Sequence, residues 1–288
     1  MNEPKTERLS PWWKQSVILI MIAAFSVLIF VAVKSYQDAP PIPQKVVDQQ
    51  GNTLFTSADI KAGQEVFLKY GLMDHGTVLG HGAYLGPDYS AEYLHREAVA
   101  VQSELASKKY NTPYDSLTPD QKNSIIADVQ TMLHTNRYDE STGTLTLTTS
   151  EADAFQGEVQ HWTNYFVKPD RAPGLPQDFI SNPTQLRQLT VFFAWAAWAA
   201  VTNRPGKDYS YTNNWPFDKL AGNGPTSSAI IWSALSLVSL LGMTGLILFL
   251  FGKFDYLGWK SGIDDHFANA RSTPPTGSQK ALLKYFVV

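Results

Sequence analysis

Residues 228–251 read SAIIWSALSLVSLLGMTGLILFLF and contain no ionisable side chain. A similar run, SVILIMIAAFSVLIFVAV, occupies residues 16–33. A helix needs about 20 apolar residues to cross the roughly 30 Å of hydrocarbon in a bilayer, so the run at 16–33 is just long enough. The two runs predict transmembrane helices at residues 16–34 and 227–252, separated by a large polar segment at residues 39–220.

Basic residues flank the two apolar runs on their outer sides. Those that precede the first run or follow the second are Lys5, Arg8, Lys14, Lys253, Lys260, Arg271, Lys280 and Lys284. Because segments rich in lysine and arginine stay in the cytoplasm, we expect a cytoplasmic N-terminus at residues 1–15 and a cytoplasmic loop at residues 253–282. The polar segment then lies on the opposite side of the membrane.

The first apolar run resembles an uncleaved anchor more than a signal peptide. It is longer than the usual apolar core of a signal peptide, and no A-x-A-like cleavage site follows it. At the other end of the chain, residues 283–288 begin a new apolar run, which we interpret as the start of a truncated third span.

Composition excludes several classes of function. The chain has 288 residues, a net charge of −3 and no cysteine. The charge gives no indication of nucleic-acid binding. Without cysteine the chain cannot form disulfides, thiolate metal sites or the covalent haem attachment of a CxxCH motif.

The polar segment has the apolar periodicity of a mainly helical domain. One alternating stretch, residues 143–148, predicts an arm of a small β hairpin. The helix predicted at 185–201 is strongly apolar, and it could be buried, lie on the bilayer or, less favourably because it is short, cross it. The expected helix starts are the caps Thr56-Ser57, Ser90, Thr118-Pro119 and Ser150.

Candidate metal ligands lie in a loop at residues 72–89 that is rich in glycine and histidine. His75 and His81 are close in sequence to Asp74 and Asp88, so a metal site is one interpretation. Solvated loop histidines are the interpretation that we favour, because no histidine belongs to a metalloprotease-type HExxH motif. The chain also lacks the G-x-S-x-G context of a serine nucleophile.

Several motifs in the polar segment are long and unusual. They read GHGAYLGPDY at 80–89, YLHR at 93–96, His161-Trp162, Arg204-Pro205-Gly206 and SYTNNWP at 210–216. These motifs resemble the N-terminal region of quinol-dependent nitric oxide reductases, which are single-chain members of the haem-copper oxidase superfamily. The resemblance extends over essentially the whole chain, including both apolar runs.

The resemblance implies a periplasmic, cytochrome c-like domain without haem, anchored in the bacterial inner membrane. In haem-bearing relatives a CxxCH motif stands shortly before a Gly-Ala-Tyr motif. When the sequences are aligned on Gly82-Ala83-Tyr84, the corresponding positions here are Leu72-Met73-Asp74-His75-Gly76. Both cysteines and the axial histidine are therefore replaced, which argues against an electron-transfer protein.

The resemblance also implies partners and cofactors outside this chain. Family members reduce two NO to N2O and water with electrons from quinol, using haem b and a non-haem iron in a catalytic transmembrane helix bundle of the same polypeptide. The present segment would then have no catalytic residue and a structural, docking role over the haem region. Gly82 and Tyr84 match positions that help to hold a calcium ion in two-subunit relatives. The alternative is a free-standing, membrane-anchored periplasmic binding or adaptor protein.

Overall fold

A computed structural model describes residues 12–168 and 174–254. Most of the predicted cytoplasmic N-terminus, the predicted cytoplasmic loop beyond residue 254 and the predicted third span at 283–288 lie outside those residues. The helices are α1 (Trp12–Gln37), α2 (Ser57–Lys69), α3 (Tyr89–Tyr110), α4 (Pro119–His134), α5 (Thr149–Val167), α6 (Pro183–Val201) and α7 (Ser227–Phe254). The strands are β1 (Lys45–Val47), β2 (Thr53–Thr56), β3 (Thr77–Val78), β4 (His81–Gly82), β5 (Tyr138–Asp139) and β6 (Thr144–Thr146).

Two helices have the length and composition needed to cross a membrane. They are α7 and the Lys14–Gln37 part of α1. Their apolar side chains are exposed, as at Leu19 (69%) and Leu240 (65%), so nothing within the described residues covers them. The expectation of two membrane-length helices is confirmed. The chain divides into two compact units between Thr226 and Ser227, and α7 belongs to the second unit.

The core of the first unit is built around α6. Most of this helix is buried, and it packs against α2, α3 and α5. The closest approach is to α2 at Gly63, where an added Cβ would stand 2.0 Å from the carbonyl oxygen of Gln188. The sequence allowed this helix to be buried, to lie on the bilayer or to cross it. The structure confirms the first of these alternatives, a buried helix.

A small mixed sheet covers one side of the helices. Its strand order is β2-β1-β6-β5, with β1 and β6 parallel and the other pairs antiparallel. The predicted arm at residues 143–148 is β6, which forms the expected hairpin with β5. Its parallel pairing with β1 was not predicted, because parallel partners are distant in sequence.

The residues that cap the helices agree only in part with those predicted from the sequence. The capping box of Thr118 with Gln121 forms as predicted. Thr56 is the predicted cap of α2, and the structure adds a capping box with Asp59. Two other predicted caps are wrong, because each true cap is two residues earlier. Asp88, not Ser90, caps α3 by accepting a hydrogen bond from the amide of Ala91. Thr148, not Ser150, caps α5 in a capping box with Glu151. The last helix of the first unit starts at Pro183, behind the cap Asn182, and not at Gln185.

Three glutamates are buried between α3, α5 and the hairpin. Glu151 pairs with Arg137, and Glu158 accepts a hydrogen bond from Arg96 Nε at 2.8 Å. The carboxyl group of Glu97 forms no ion pair and no side-chain hydrogen bond within the part of the chain that the structure describes. Burial raises the pKa of Glu97 well above its ordinary value, and the carboxylates of Glu151 and Glu158 raise it further.

We predict that Glu97 makes the stability of the domain depend on pH. A raised folded-state pKa adds stability below the ordinary carboxyl pKa of about 4.5, and this stability is lost as the pH rises toward the folded-state value. Glu97→Gln cannot ionise, so the melting temperature of the wild type should fall relative to that of the variant as the pH rises above about 4.5.

Thermal melts followed by tryptophan fluorescence would measure this difference. Glu65→Gln, at an exposed position on α2, is the matched control and should melt in parallel with the wild type. Parallel pH profiles for the wild type and Glu97→Gln would contradict the prediction.

Candidate functional site

The positions that align with the haem-attachment motif form a tight turn after α2. Gly71 adopts a left-handed conformation (φ +59°), and Leu72–Asp74 then form a single 3-10 turn. Leu72 is buried. His75 is also buried, and its Nε2 lies 2.9 Å from the hydroxyl of Tyr165. Burial lowers the pKa of His75, which favours a neutral ring.

The interpretation of both histidines as solvated loop residues is therefore wrong for His75. It is confirmed for His81, which is exposed and contacts the carbonyl oxygen of Leu79 through Nδ1. No group of three or more His, Asp or Glu side chains within residues 12–168 and 174–254 could hold a metal ion.

Backbone contacts fold the rest of the loop onto this turn. We call residues 71–88 the glycine loop. The amide of Ala83 donates to the carbonyl oxygen of Met73 at 2.7 Å, and the amide of Gly86 donates to that of His75. Gly82 has φ +139°, and a Cβ there would stand 2.2 Å from the carbonyl oxygen of Gly76. Only glycine fits at position 82, because both the conformation and the space exclude a side chain.

The carboxylate of Asp88 holds the two ends of the glycine loop together. Its Oδ2 accepts from the hydroxyl of Thr77 at 2.7 Å and from the amide of Gly80 at 2.6 Å. Its Oδ1 accepts from the hydroxyl of Ser90 and from the amide of Ala91. With four donors, this carboxylate serves the loop and the start of α3, and it is not available as a free metal ligand.

Trp215 connects the SYTNNWP motif to the glycine loop. Its indole Nε1 donates to the carbonyl oxygen of Leu79 at 3.1 Å, and its ring lies against Gly80. The motif itself is folded around Ser210, whose amide donates to Asn214 Oδ1 and whose hydroxyl accepts from the Asn214 amide, both at 2.8 Å. The two most unusual motifs of the sequence therefore form one structure.

Aromatic side chains fill the interior beside the glycine loop. Tyr89 stacks on Phe193 with ring centroids 4.7 Å apart. Trp162 meets both rings edge to face, at 5.6 Å from Tyr89 and 5.0 Å from Phe193. Phe67 and Phe166 complete this aromatic cluster, and all five residues are buried. The loop thus rests on a close-packed layer.

Several large apolar side chains of the glycine loop are exposed, together with the polar residues Asp74 and His81. Tyr84 is 86% exposed and Leu85 is 67% exposed, although the backbone on both sides of them is held by hydrogen bonds. Met73 is exposed in the same loop, and Phe217 follows the Trp215 contact. Large apolar side chains that are presented by a fixed backbone are typical of a surface that contacts another protein segment.

Comparison with protein families identifies this arrangement. Residues 43–217 match the family described as the NorB cytochrome c-like domain of nitric oxide reductase. The chain belongs to this family. The match covers the helical core, the glycine loop and the SYTNNWP motif, so the mainly helical, cytochrome c-like fold inferred from the sequence is confirmed. No curated protein matches the chain.

Members of the nitric oxide reductase family carry haem and iron and are bound to membranes. The residues of this cytochrome c-like domain do not fit a covalently attached haem. The chain contains no cysteine. Leu72 and His75, which align with the two cysteines of the haem-attachment motif, are both buried in the domain. Calcium needs six to eight oxygen ligands, and the described residues near Gly82 and Tyr84 include no free carboxylate cluster. The assignment of calcium to Gly82 and Tyr84 remains a prediction.

We predict that the glycine loop fails to close when residue 82 acquires a side chain. Gly82→Ala should destabilise the domain by roughly 3 kcal/mol, because it adds strain at a positive φ and a clash with the backbone of Gly76. Limited proteolysis should then cut within residues 71–88, and thermal melts should show the loss of stability.

The matched control is Gly157→Ala within α5, where an added Cβ meets nothing within 4 Å. Alanine is the better helix former, so this variant should be at least as stable as the wild type. Equal proteolysis of the two variants would contradict the role assigned to Gly82.

Proposed function

We propose that this chain is the N-terminal, non-catalytic part of a quinol-dependent nitric oxide reductase. In this proposal the reaction takes place in a catalytic transmembrane helix bundle of the same polypeptide, which holds haem b and a non-haem iron. Haem and iron supply the metal-assisted reduction of two NO to N2O and water, with quinol as electron donor. The present domain docks over the haem region through its glycine loop.

The exposed apolar side chains on a fixed loop are the observation that carries this proposal. Tyr84 and Leu85 project from a segment whose ends are tied to Met73 and His75. An aromatic side chain on a preorganised backbone loses little entropy when it docks. A loop that was only a connection between helices would gain nothing from presenting these side chains to water.

The histidines of the domain support a structural role. Each of the five described histidines contacts a residue in another part of the chain or in its own loop. Four of them connect distant segments by side-chain contacts: His75 with Tyr165 at 2.9 Å, His95 with Asp218 at 2.8 Å, His134 with Asn203 at 3.1 Å and His161 with Glu92 at 2.8 Å. These side chains hold the domain together, which agrees with a reaction centre located elsewhere in the polypeptide.

A calcium ion is the second element of the proposed docking contact. The backbone at Gly82 and the hydroxyl of Tyr84 are oxygen donors of the kind that calcium prefers. Since Asp88 is occupied by four donors, the remaining ligands would come from elsewhere in the enzyme, such as the propionate groups of a haem. The ion would then join the two parts of the enzyme.

We predict that Tyr84→Ala in the full-length reductase lowers quinol-driven NO reduction about tenfold, the effect expected when an aromatic anchor is removed from an interface. Calcium content should fall in parallel, while haem content and membrane insertion stay unchanged. Turnover can be measured with an NO electrode and calcium by elemental analysis of the purified enzyme.

Two further variants sharpen this experiment. Tyr84→Phe keeps the ring and removes the hydroxyl, so it separates packing from calcium ligation. Val99→Ala removes an exposed apolar side chain on α3 and should leave turnover unchanged. Wild-type activity and calcium content in Tyr84→Ala would refute docking at this loop.

We also predict that the domain is periplasmic and that both termini are cytoplasmic, following the distribution of basic residues. The chain has no cysteine, so an introduced cysteine is its only thiol. On intact spheroplasts an impermeant maleimide should label Lys61→Cys, at an exposed position on α2. It should not label Asn2→Cys until the cells are lysed; labelling before lysis would reverse the topology.

A further inference from the structure

A surface groove of about 430 Å³ lies where the chain leaves α1. Its walls come from the residues after α1, the β5 turn and the segment after α6. The side chains that matter here are Asp38, Tyr138, Glu140, Arg204, Lys207 and Tyr211. We call it the α1-exit groove.

The position of the α1-exit groove places it at a membrane surface. The part of α1 that could cross a membrane ends at Gln37, and Gln37 itself lines the groove. Two contacts hold the following residues on the domain: Asp38 lies 3.7 Å from Arg204, and the carbonyl oxygen of Pro41 accepts from Trp195 Nε1 at 3.0 Å. The groove therefore opens at the level where hydrocarbon gives way to lipid head groups.

Both signs of charge are present in the groove. Arg204 is fixed by hydrogen bonds to the carbonyl oxygens of Ser210 and Tyr211, and its guanidinium lies 5.4 Å from the ring centre of Tyr211. Lys207 is exposed and makes no ion pair within residues 12–168 and 174–254. Glu140 is likewise exposed, opposite in charge and without an ion pair in the same part of the chain.

Aromatic rings line the same groove. The rings of Tyr138 and Tyr211 both pack on Trp198, at 6.3 Å and 5.5 Å between centroids. Trp198 is buried in α6, so the two tyrosines are supported from behind. Tyrosine is common at membrane interfaces, and its ring face attracts cations such as ammonium groups.

We propose that the α1-exit groove binds the zwitterionic head group of a phosphatidylethanolamine lipid. The phosphate pairs with Lys207, beside the fixed guanidinium of Arg204. The ammonium group donates to Glu140 and lies against the ring of Tyr138. A purely anionic head group would satisfy Lys207 but would meet the carboxylates of Glu140 and Asp38, so the arrangement of charges selects the zwitterion. This inference does not depend on the proposed docking of the glycine loop.

The test is lipid retention by the full-length chain. The protein is solubilised gently, challenged with an equimolar mixture of phosphatidylethanolamine and phosphatidylglycerol, and examined by native mass spectrometry. Wild type should retain the ethanolamine lipid in excess. Lys207→Glu should lower that retention about fivefold, the effect of one basic residue near a charged lipid surface. Lys61→Glu makes the same charge change at an exposed position on α2, away from the groove, and should have no effect.

A second variant tests the ammonium half of the proposal. Glu140→Lys replaces the unpaired negative charge of the groove with a second positive charge beside Lys207. The lipid preference of the protein should therefore change from phosphatidylethanolamine to phosphatidylglycerol. Three results would overturn the inference: no excess of ethanolamine lipid on wild type, equal losses in Lys207→Glu and Lys61→Glu, or an unchanged preference in Glu140→Lys. The first of these would indicate that another segment of protein covers the groove.

Discussion

Burial of α6 is the constraint on which the rest of the domain depends. This helix is apolar around nearly its whole circumference, so it must be covered on every side. The other helices of the domain supply that cover, and Gly63 lets α2 approach until backbones touch. The ring of Phe193, on α6, also stacks on the ring of Tyr89 at the start of α3. The position of α3, and with it the end of the glycine loop, thus follows from the packing of α6.

The glycine loop is the second consequence of this packing. Its ends are fixed by the aromatic cluster below and by the four hydrogen bonds of Asp88. Each such hydrogen bond contributes about 1 kcal/mol or somewhat more, because the acceptor is charged. The sum is enough to hold a loop with several positive φ angles in one conformation. That rigidity holds Tyr84 and Leu85 in a defined position although both side chains are exposed.

Much of this architecture could be predicted from local patterns, and the errors have physical causes. The membrane-length helices, the Thr118 capping box and the buried α6 all depend on short-range signals. The cap at Asp88 was missed because Ser90 is also a good cap, and the choice depends on Thr77 and Gly80. His75 was expected in solvent because its partner, Tyr165, is distant in sequence. The β1–β6 pair was missed for the same reason.

The family relationship raises the question of what stabilises a cytochrome c-like fold without its covalent cofactor. Here the turn that aligns with the haem-attachment motif is anchored by Leu72 and His75, and the aromatic cluster lies directly beside it. Burial of several large aromatic side chains yields stabilisation of the order of several kcal/mol, so the core does not need a cofactor to remain closed. The surface of the loop is then free to evolve as a contact surface, because no residue in it has to remain a haem ligand. A domain of this kind can keep the fold of an electron carrier without the residues that attach a haem covalently.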